Sequence, residues 1–196
     1  MPILHLLAGS NGAGKSSYVR DVLMPTTHLS FINADEIAAK TWPDAQAEHA
    51  YEAARIAEAQ RRDRIADGAS FISETVFSHP SKVQLVADCI EAGYLVHLHV
   101  IMAPIDLTVQ RVLERVRRGG HAVPEHKIRE RYERLWGNVS AAIRLADTAE
   151  LLDNSSARIP FRLCARYEHG ALIGSPSWPE WTPAALREGT SGRGGC

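Results

Sequence analysis

The chain has 196 residues, 45% hydrophobic and 23% charged, with a formal net charge of -1; this suits one soluble globular domain with a sizeable core and excludes a disordered or fibrous chain. The near-zero charge gives no global electrostatic case for nucleic acid, no apolar run reaches a membrane span, and the N-terminus lacks a basic region followed by a cleavable apolar core. A cytoplasmic protein is expected, with neither nucleic acid nor membrane as partner.

Residues 3–8 read as a buried strand. Gly9-Ser10-Asn11-Gly12-Ala13-Gly14-Lys15-Ser16 follows directly and fits G-x-x-x-x-G-K-[ST], the phosphate-binding loop. Its glycines let the backbone turn with φ > 0 and gather successive N–H groups into a concave anion nest. A helix starting near Lys15 adds the positive end of its dipole, Lys15 can reach β and γ phosphates, and the Ser16 hydroxyl can ligate Mg²⁺. Ser17 extends this nucleotide-binding run.

Pro25-Thr26-Thr27 is expected to end the first helix. Residues 29–33 read as a second strand that delivers Asp35 and Glu36 at its C-terminal end, where ligands of open α/β sheets gather. Asp35 is the better candidate for a base on an acceptor hydroxyl, because Glu36 is expected to turn outward with the following helix. A helix N-cap is the alternative role for Asp35. Residues 45–67 predict a helix closed by Gly68, with Tyr51, Ala54, Ala57 and Ile65 at helical spacing, and with Arg55, Arg61, Arg62 and Arg64 on a solvated face. Residues 69–73 form a third strand ending in Glu74-Thr75, which brings a second carboxylate to the same edge.

A helix over 81–92 uses Val83, Val86, Ala87 and Ile90 as one face, with Gly93 as its stop. Residues 94–102 are long and apolar enough for the centre of a parallel sheet. His97 and His99, on one face of that strand, read as half-buried packing rather than metal ligands. After Pro104, Val109, Val112, Leu113 and Val116 build an apolar helix face opposite Arg111, Arg115 and Arg118. Gly119-Gly120-His121-Ala122-Val123-Pro124 interrupts it. A second helix resumes with Ile128, Tyr132, Leu135, Val139, Ala142 and Ala146 as its stripe and carries Arg129, Arg131 and Arg134. Two arginine-rich helices joined by a glycine turn read as a lid over about 111–134. Most of these arginines serve a solvated surface, and two or three are expected to face phosphate.

Residues 150–155 give a fifth strand and its turn, and 161–173 a hairpin around Glu168-His169-Gly170. Trp178, Pro179, Trp181 and Pro183 are expected to pack a terminal segment across the domain, which occupies 1–187; the Gly/Ser/Arg-rich tail at 188–196 is expected to be disordered. Cys89, Cys164 and Cys196 are too few and too far apart for a disulfide framework or zinc site, and the first two read as buried thiols. The predicted class is α/β: three layers, with a mostly parallel five-stranded sheet, helices on both faces, a helical lid and a C-terminal β-hairpin, the P-loop kinase fold that the resemblance given next implies.

The ordered set of residues 9–16, Asn33-Ala34-Asp35-Glu36-Ile37, Ser73-Glu74-Thr75, Arg111 to Arg115 leading to Gly119-Gly120-His121, Arg131 and Asp153-Asn154-Ser155 resembles the zeta toxin family of P-loop kinases. That resemblance implies ATP-dependent, Mg²⁺-assisted transfer to the 3'-hydroxyl of UDP-N-acetylglucosamine, with a possible antitoxin as protein partner. It implies Asp35 as the general base, Glu74 and Thr75 as acceptor contacts, Lys15 and Ser16 at phosphate and metal, Arg111, Arg115 and Arg131 around the triphosphate, and Asn154 near adenine. Two alternatives keep the same nucleotide site: a nucleotide-dependent switch protein with no small-molecule acceptor, and a kinase for another metabolite or a polynucleotide 5' end.

Overall fold

The computed structural model describes residues 1–118, 120 and 123–188. Gly119 and His121 of the expected glycine turn, Ala122, and the tail at 189–196 with Cys196 lie outside the described residues. The strands β1 (Ile3–Ala8), β2 (Ser30–Ile32), β3 (Phe71–Thr75), β4 (Leu95–Met102), β5 (Thr148–Asp153), β6 (Arg162–Glu168) and β7 (Ala171–Ile173) form one sheet in the order β2-β3-β1-β4-β5-β6-β7. The first five strands of that order are parallel and the last two antiparallel.

The sheet is therefore seven-stranded rather than five-stranded, because the C-terminal hairpin extends it from the edge of β5. Ala149 pairs with Tyr167 and Leu151 with Ala165, so an edge that would otherwise expose its backbone groups is covered by buried side chains. The hairpin turns at His169 and Gly170, both at positive φ (48° and 77°), as a two-residue turn matched to strand twist requires.

The helices are α1 (Lys15–Tyr18), continued by a π-helical turn (Val19–Leu23) into α2 (Met24–Thr27), then α3 (Ala34–Thr41), α4 (Ala50–Ala66), α5 (Ser81–Glu91), α6 (Ile105–Arg117), α7 (Glu125–Ile143) and α8 (Ala184–Glu188). Pro25 does not end the first helix. It falls directly after the π-helical turn, in the first turn of α2, and the helix stops at His28 in the left-handed region.

Side chains alternate across the sheet. Leu4, Leu6, Ala8, Val96, Leu98 and Val100 meet α5, α7 and α8 in the larger core, with Trp178 and Trp181 packed at its margin. Leu7, Ile72, Ile101 and Leu152 meet Tyr18, Val19 and Leu23 on the opposite face. Each fully buried aliphatic side chain contributes about 1.5–3 kcal/mol. On α5 the inner face is Val86 and Cys89 rather than Ile90, and on α7 Trp136 and Ile143 join the expected stripe. Cys89 and Cys164 are buried free thiols.

Three histidines share the smaller-core face. His5 lies opposite His97 in register, their rings stack at 5.2 Å, and His5 Nδ1 is 3.0 Å from His99 Nε2. Burial first and His97 second lower the His5 pKa from its ordinary 6.5 to about 4; burial, then His5 and His97, lower that of His99 to about 3. Among the described residues no group of three or more His, Cys, Asp or Glu side chains could hold a metal ion.

Both rings stay neutral in the fold and charge in the unfolded chain below pH 6.5. Their stabilisation is thus complete above that pH and is lost as pH falls through about 4 and about 3. Denaturant titrations at pH 7 and pH 5 should show stability falling by about 1.4 kcal/mol per pH unit for each excluded proton. His99→Gln should reduce that slope; an unchanged slope would contradict the assignment.

Candidate functional site

The glycine loop connects β1 to α1 at the carboxyl edge of the sheet. Gly12 and Gly14 have φ of 80° and 102°. A Cβ on Gly12 would collide with the Thr108 backbone carbonyl, and one on Gly14 with the Asn154 side-chain amide. Glycine is thus required for both conformation and space. The Asn154 amide donates to the Ala13 carbonyl at 2.8 Å, while its own backbone carbonyl accepts from Arg111 at 2.9 Å. The buried end of β5 therefore clamps the loop.

Lys15, 5% exposed, donates to the Ser10 carbonyl at 3.0 Å and lies 3.6 Å from Glu74 Oε1. Ser16 Oγ donates to Glu74 Oε2 at 2.7 Å, and Asn33 Nδ2 donates to the same oxygen at 2.8 Å. Glu74 reaches the loop because it lies within β3, paired in register with Leu7, and not beyond the strand. A hydroxyl beside a carboxylate supplies the hard oxygen donors that Mg²⁺ takes, so Ser16 and Glu74 could hold that ion next to phosphate.

Asp35 does not cap α3. Asn33 is the N-cap, its side chain accepting from the backbone N–H of Asp35 at 2.7 Å and of Glu36 at 3.4 Å. Asp35 is an exposed residue of the first helical turn and lines the cavity in front of the loop. The pKa of Glu36 is raised, by burial first and the charge of Glu74 second, with Arg20 opposing. Thr75 Oγ1 accepts from the Phe77 N–H at 3.2 Å, leaving its own O–H free to donate. Phe77 sits at φ 67°, an uncommon conformation held by a fully buried ring and by the Asn138 amide, which donates to its carbonyl at 3.0 Å.

Lys15, Ser16, Asn33, Asp35, Glu74, Thr75 and Asn154 line one cavity of about 1010 Å³. The arginines of the two helices sort by partner. Arg129 pairs with Asp106 and Glu125, Arg118 with Glu114, and Arg134 with Glu130, all on the surface. Arg111, Arg115 and Arg131 line the cavity, Arg131 lying 3.5 Å from the Asn11 side-chain oxygen.

Sequence reasoning did not place Phe161, Arg61, Tyr51, Ala54 or Lys82 on the cavity. Phe161 was expected to begin the hairpin, but β6 begins at Arg162; Phe161 instead turns at φ 55°, sits beside Gly14 and Asn154, and meets Tyr18 edge-on at 5.1 Å. Arg61, placed on the solvated face of its helix, is 8% exposed, because the inner stripe of α4 is Ala53, Ala57 and Arg61. Tyr51 is 79% exposed and Ala54 is exposed too, and both line the cavity rather than the core. Lys82, on α5, completes this wall. Neither Arg61 nor Lys82 carries a sequence signal that separates it from surface cations.

A glycine phosphate loop between a parallel strand and a helix, at the carboxyl edge of a mostly parallel sheet covered on both faces, defines a P-loop kinase fold. The zeta toxin family model matches residues 1–156, and the chain belongs to that family. No curated protein matches it.

Solved structures share the fold at low identity. The native AvrRxo1-ORF1:-ORF2 complex matches with TM-score 0.70 at 18% identity, covering 88% of this chain and 60% of that one; the complex with ATP gives the same values. This chain thus spans about three fifths of the AvrRxo1 chain. The PezAT chromosomal toxin-antitoxin system of Streptococcus pneumoniae matches with TM-score 0.60 at 16% identity, over 78% of this chain and 67% of that one. Shikimate kinase from Acinetobacter baumannii, in complex with shikimate, matches with TM-score 0.52 at 15% identity, over 80% and 86%.

Proposed function

We propose that the protein is a phosphotransferase that moves the γ-phosphate of ATP to a hydroxyl of a nucleotide sugar, the 3'-OH of UDP-N-acetylglucosamine being the preferred acceptor. The observation that carries this reading is one continuous cavity lined by Lys15 and Ser16 at one end and by Asp35, Glu74 and Thr75 beside them. ATP use is supported by the loop and by the ATP complex of AvrRxo1; membership of the zeta toxin family supports the choice of acceptor.

In this reading the backbone N–H groups of residues 9–14 and the Lys15 ammonium hold the β and γ phosphates, with Phe161 and Asn154 on the side of the adenine. Mg²⁺, held through Ser16 with Glu74 behind it, supplies charge neutralisation of the phosphate oxygens when bound. Asp35 accepts the proton of the attacking hydroxyl as its oxygen bonds to the γ-phosphorus and the bond to the ADP oxygen breaks. Glu74 and Thr75 orient the acceptor. Arg111, Arg115 and Arg131 close over the transferring group, whose charge spreads over its equatorial oxygens. An antitoxin partner belongs to the same reading, as in the toxin-antitoxin system that contains PezT.

The test is mass spectrometry of UDP-N-acetylglucosamine incubated with Mg-ATP and the protein. The expected product is heavier by one phosphoryl group and carries it on the 3'-oxygen. Unchanged acceptor alongside turnover on other hydroxylated metabolites would remove this acceptor and leave the kinase.

A further inference from the structure

The wall of the cavity beyond β3 contains a backbone turn that its own sequence does not favour. Thr75, Val76 and Ser78 line the cavity, while Phe77 between them turns away, fully buried, into the larger core. Phe77 has φ 67°, a region that a bulky residue occupies only where its surroundings over-determine it. Two hydrogen bonds do so, one on each side of its Cα. The Phe77 N–H, in the peptide shared with Val76, donates to Thr75 Oγ1 at 3.2 Å. The Phe77 carbonyl, in the peptide shared with Ser78, accepts from Asn138 Nδ2 at 3.0 Å. The first bond is local, whereas the second spans 61 residues to α7.

Asn138 is thus the tertiary restraint on the turn. Without its amide, Phe77 can relax toward negative φ, which swings Val76 and Ser78 and withdraws the N–H that fixes the Thr75 oxygen. The same helix reaches the donor side. Arg131 precedes Asn138 by about two turns on one helix face, and its guanidinium lies 3.5 Å from the Asn11 side-chain oxygen of the glycine loop. Leu135, Trp136 and Val139 are buried and anchor that stretch of α7. One packed helix therefore holds the glycine loop at one point and the opposite wall at another.

We infer that Asn138 is a positioning residue for the acceptor: through the Phe77 carbonyl it holds Thr75, Val76 and Ser78 in the shape that the acceptor meets. This rests on the kinase reading and deepens its acceptor side. Asn138 itself does not line the cavity, so it acts only through the turn.

The test is steady-state kinetics with ATP and UDP-N-acetylglucosamine varied in turn, for wild type and Asn138→Asp. Aspartate keeps the shape of the side chain and, when ionised, has no N–H to offer the Phe77 carbonyl. KM for the acceptor should rise at least tenfold, with kcat and KM for ATP within threefold, because the Arg131 contact to the loop is untouched. Asn138→Leu, of similar size and uncharged, should do the same and carries the test should the carboxylate disturb folding. In a cycle with Thr75→Val, the losses in acceptor kcat/KM should fall at least threefold short of multiplying, since both residues act through one turn. An unchanged acceptor KM in both variants, equal rises in the two KM values, or losses that multiply would overturn the inference and leave the kinase intact. A wild-type protein that transfers nothing to UDP-N-acetylglucosamine would overturn the acceptor reading, and the role of Asn138 with it.

Discussion

Lys15→Ala lowers phosphoryl transfer by about 10³-fold, the size expected when a preorganised cationic donor to the transferring phosphoryl is lost. The ammonium is 5% exposed and held between the Ser10 carbonyl and Glu74, so it is positioned before any nucleotide arrives. Alanine leaves the Glu74 carboxylate with only the neutral donors Ser16 and Asn33, and that negative charge then faces the incoming phosphates. The variant should therefore weaken ATP binding as well as transfer, read by calorimetry and steady-state kinetics together. Transfer within tenfold of wild type would show that the loop's backbone nest suffices without its lysine.

Asp35→Asn lowers kcat by about 10²–10⁴-fold, the range for loss of a general base, with ATP affinity unchanged. The substitution keeps the shape of the side chain, and the backbone N–H of residue 35 can still donate to Asn33, so the start of α3 survives. Glu36→Gln should change kcat only a few-fold, because Glu36 does not line the cavity. The reverse ranking would move the base to Glu36, whose raised pKa already suits a proton acceptor. The two variants should melt within a few degrees of wild type, since both residues are exposed.

The parts of the fold that rest on local pattern were legible in the chain. The strand, loop and helix at residues 3–18 follow from glycine spacing and an apolar run, and β4 lies at the centre of the sheet, as its continuous hydrophobicity implies. Tertiary pairing was not legible. The hairpin at Arg162–Glu168 and Ala171–Ile173 has strand character in its sequence, but nothing local says that it will pair with β5. The inner face of α4 was misjudged because alanine dominates both of its sides, so periodicity could not choose between the stripe at Tyr51 and the one at Ala53.

In the candidate site, Asn11, Gly12, Gly14 and Lys15 to Ser17 of the loop line one cavity with Asp35, Glu74, Thr75, Arg111, Arg115, Arg131 and Asn154, whereas Gly9, Ser10 and Ala13 do not; the mutual geometry had no sequence signature. Glu74 was expected at the end of its strand, and its pairing with Leu7 in β1 is what brings it onto Ser16 and Lys15. Asn33 was read as the last residue of a strand, although Asn33 followed three positions later by Glu36 carries the pattern of a helix start. Phe161 and Arg61 reach the cavity only through long-range packing.

The most direct measurement is mass spectrometry of a metabolite extract incubated with the protein and Mg-ATP, run beside Asp35→Asn. A donor half and an acceptor half in one cavity predict a new species heavier by one phosphoryl group, formed as ADP accumulates and absent with the variant. ADP and inorganic phosphate released with no phosphorylated product would contradict the kinase and leave a nucleotide-dependent switch.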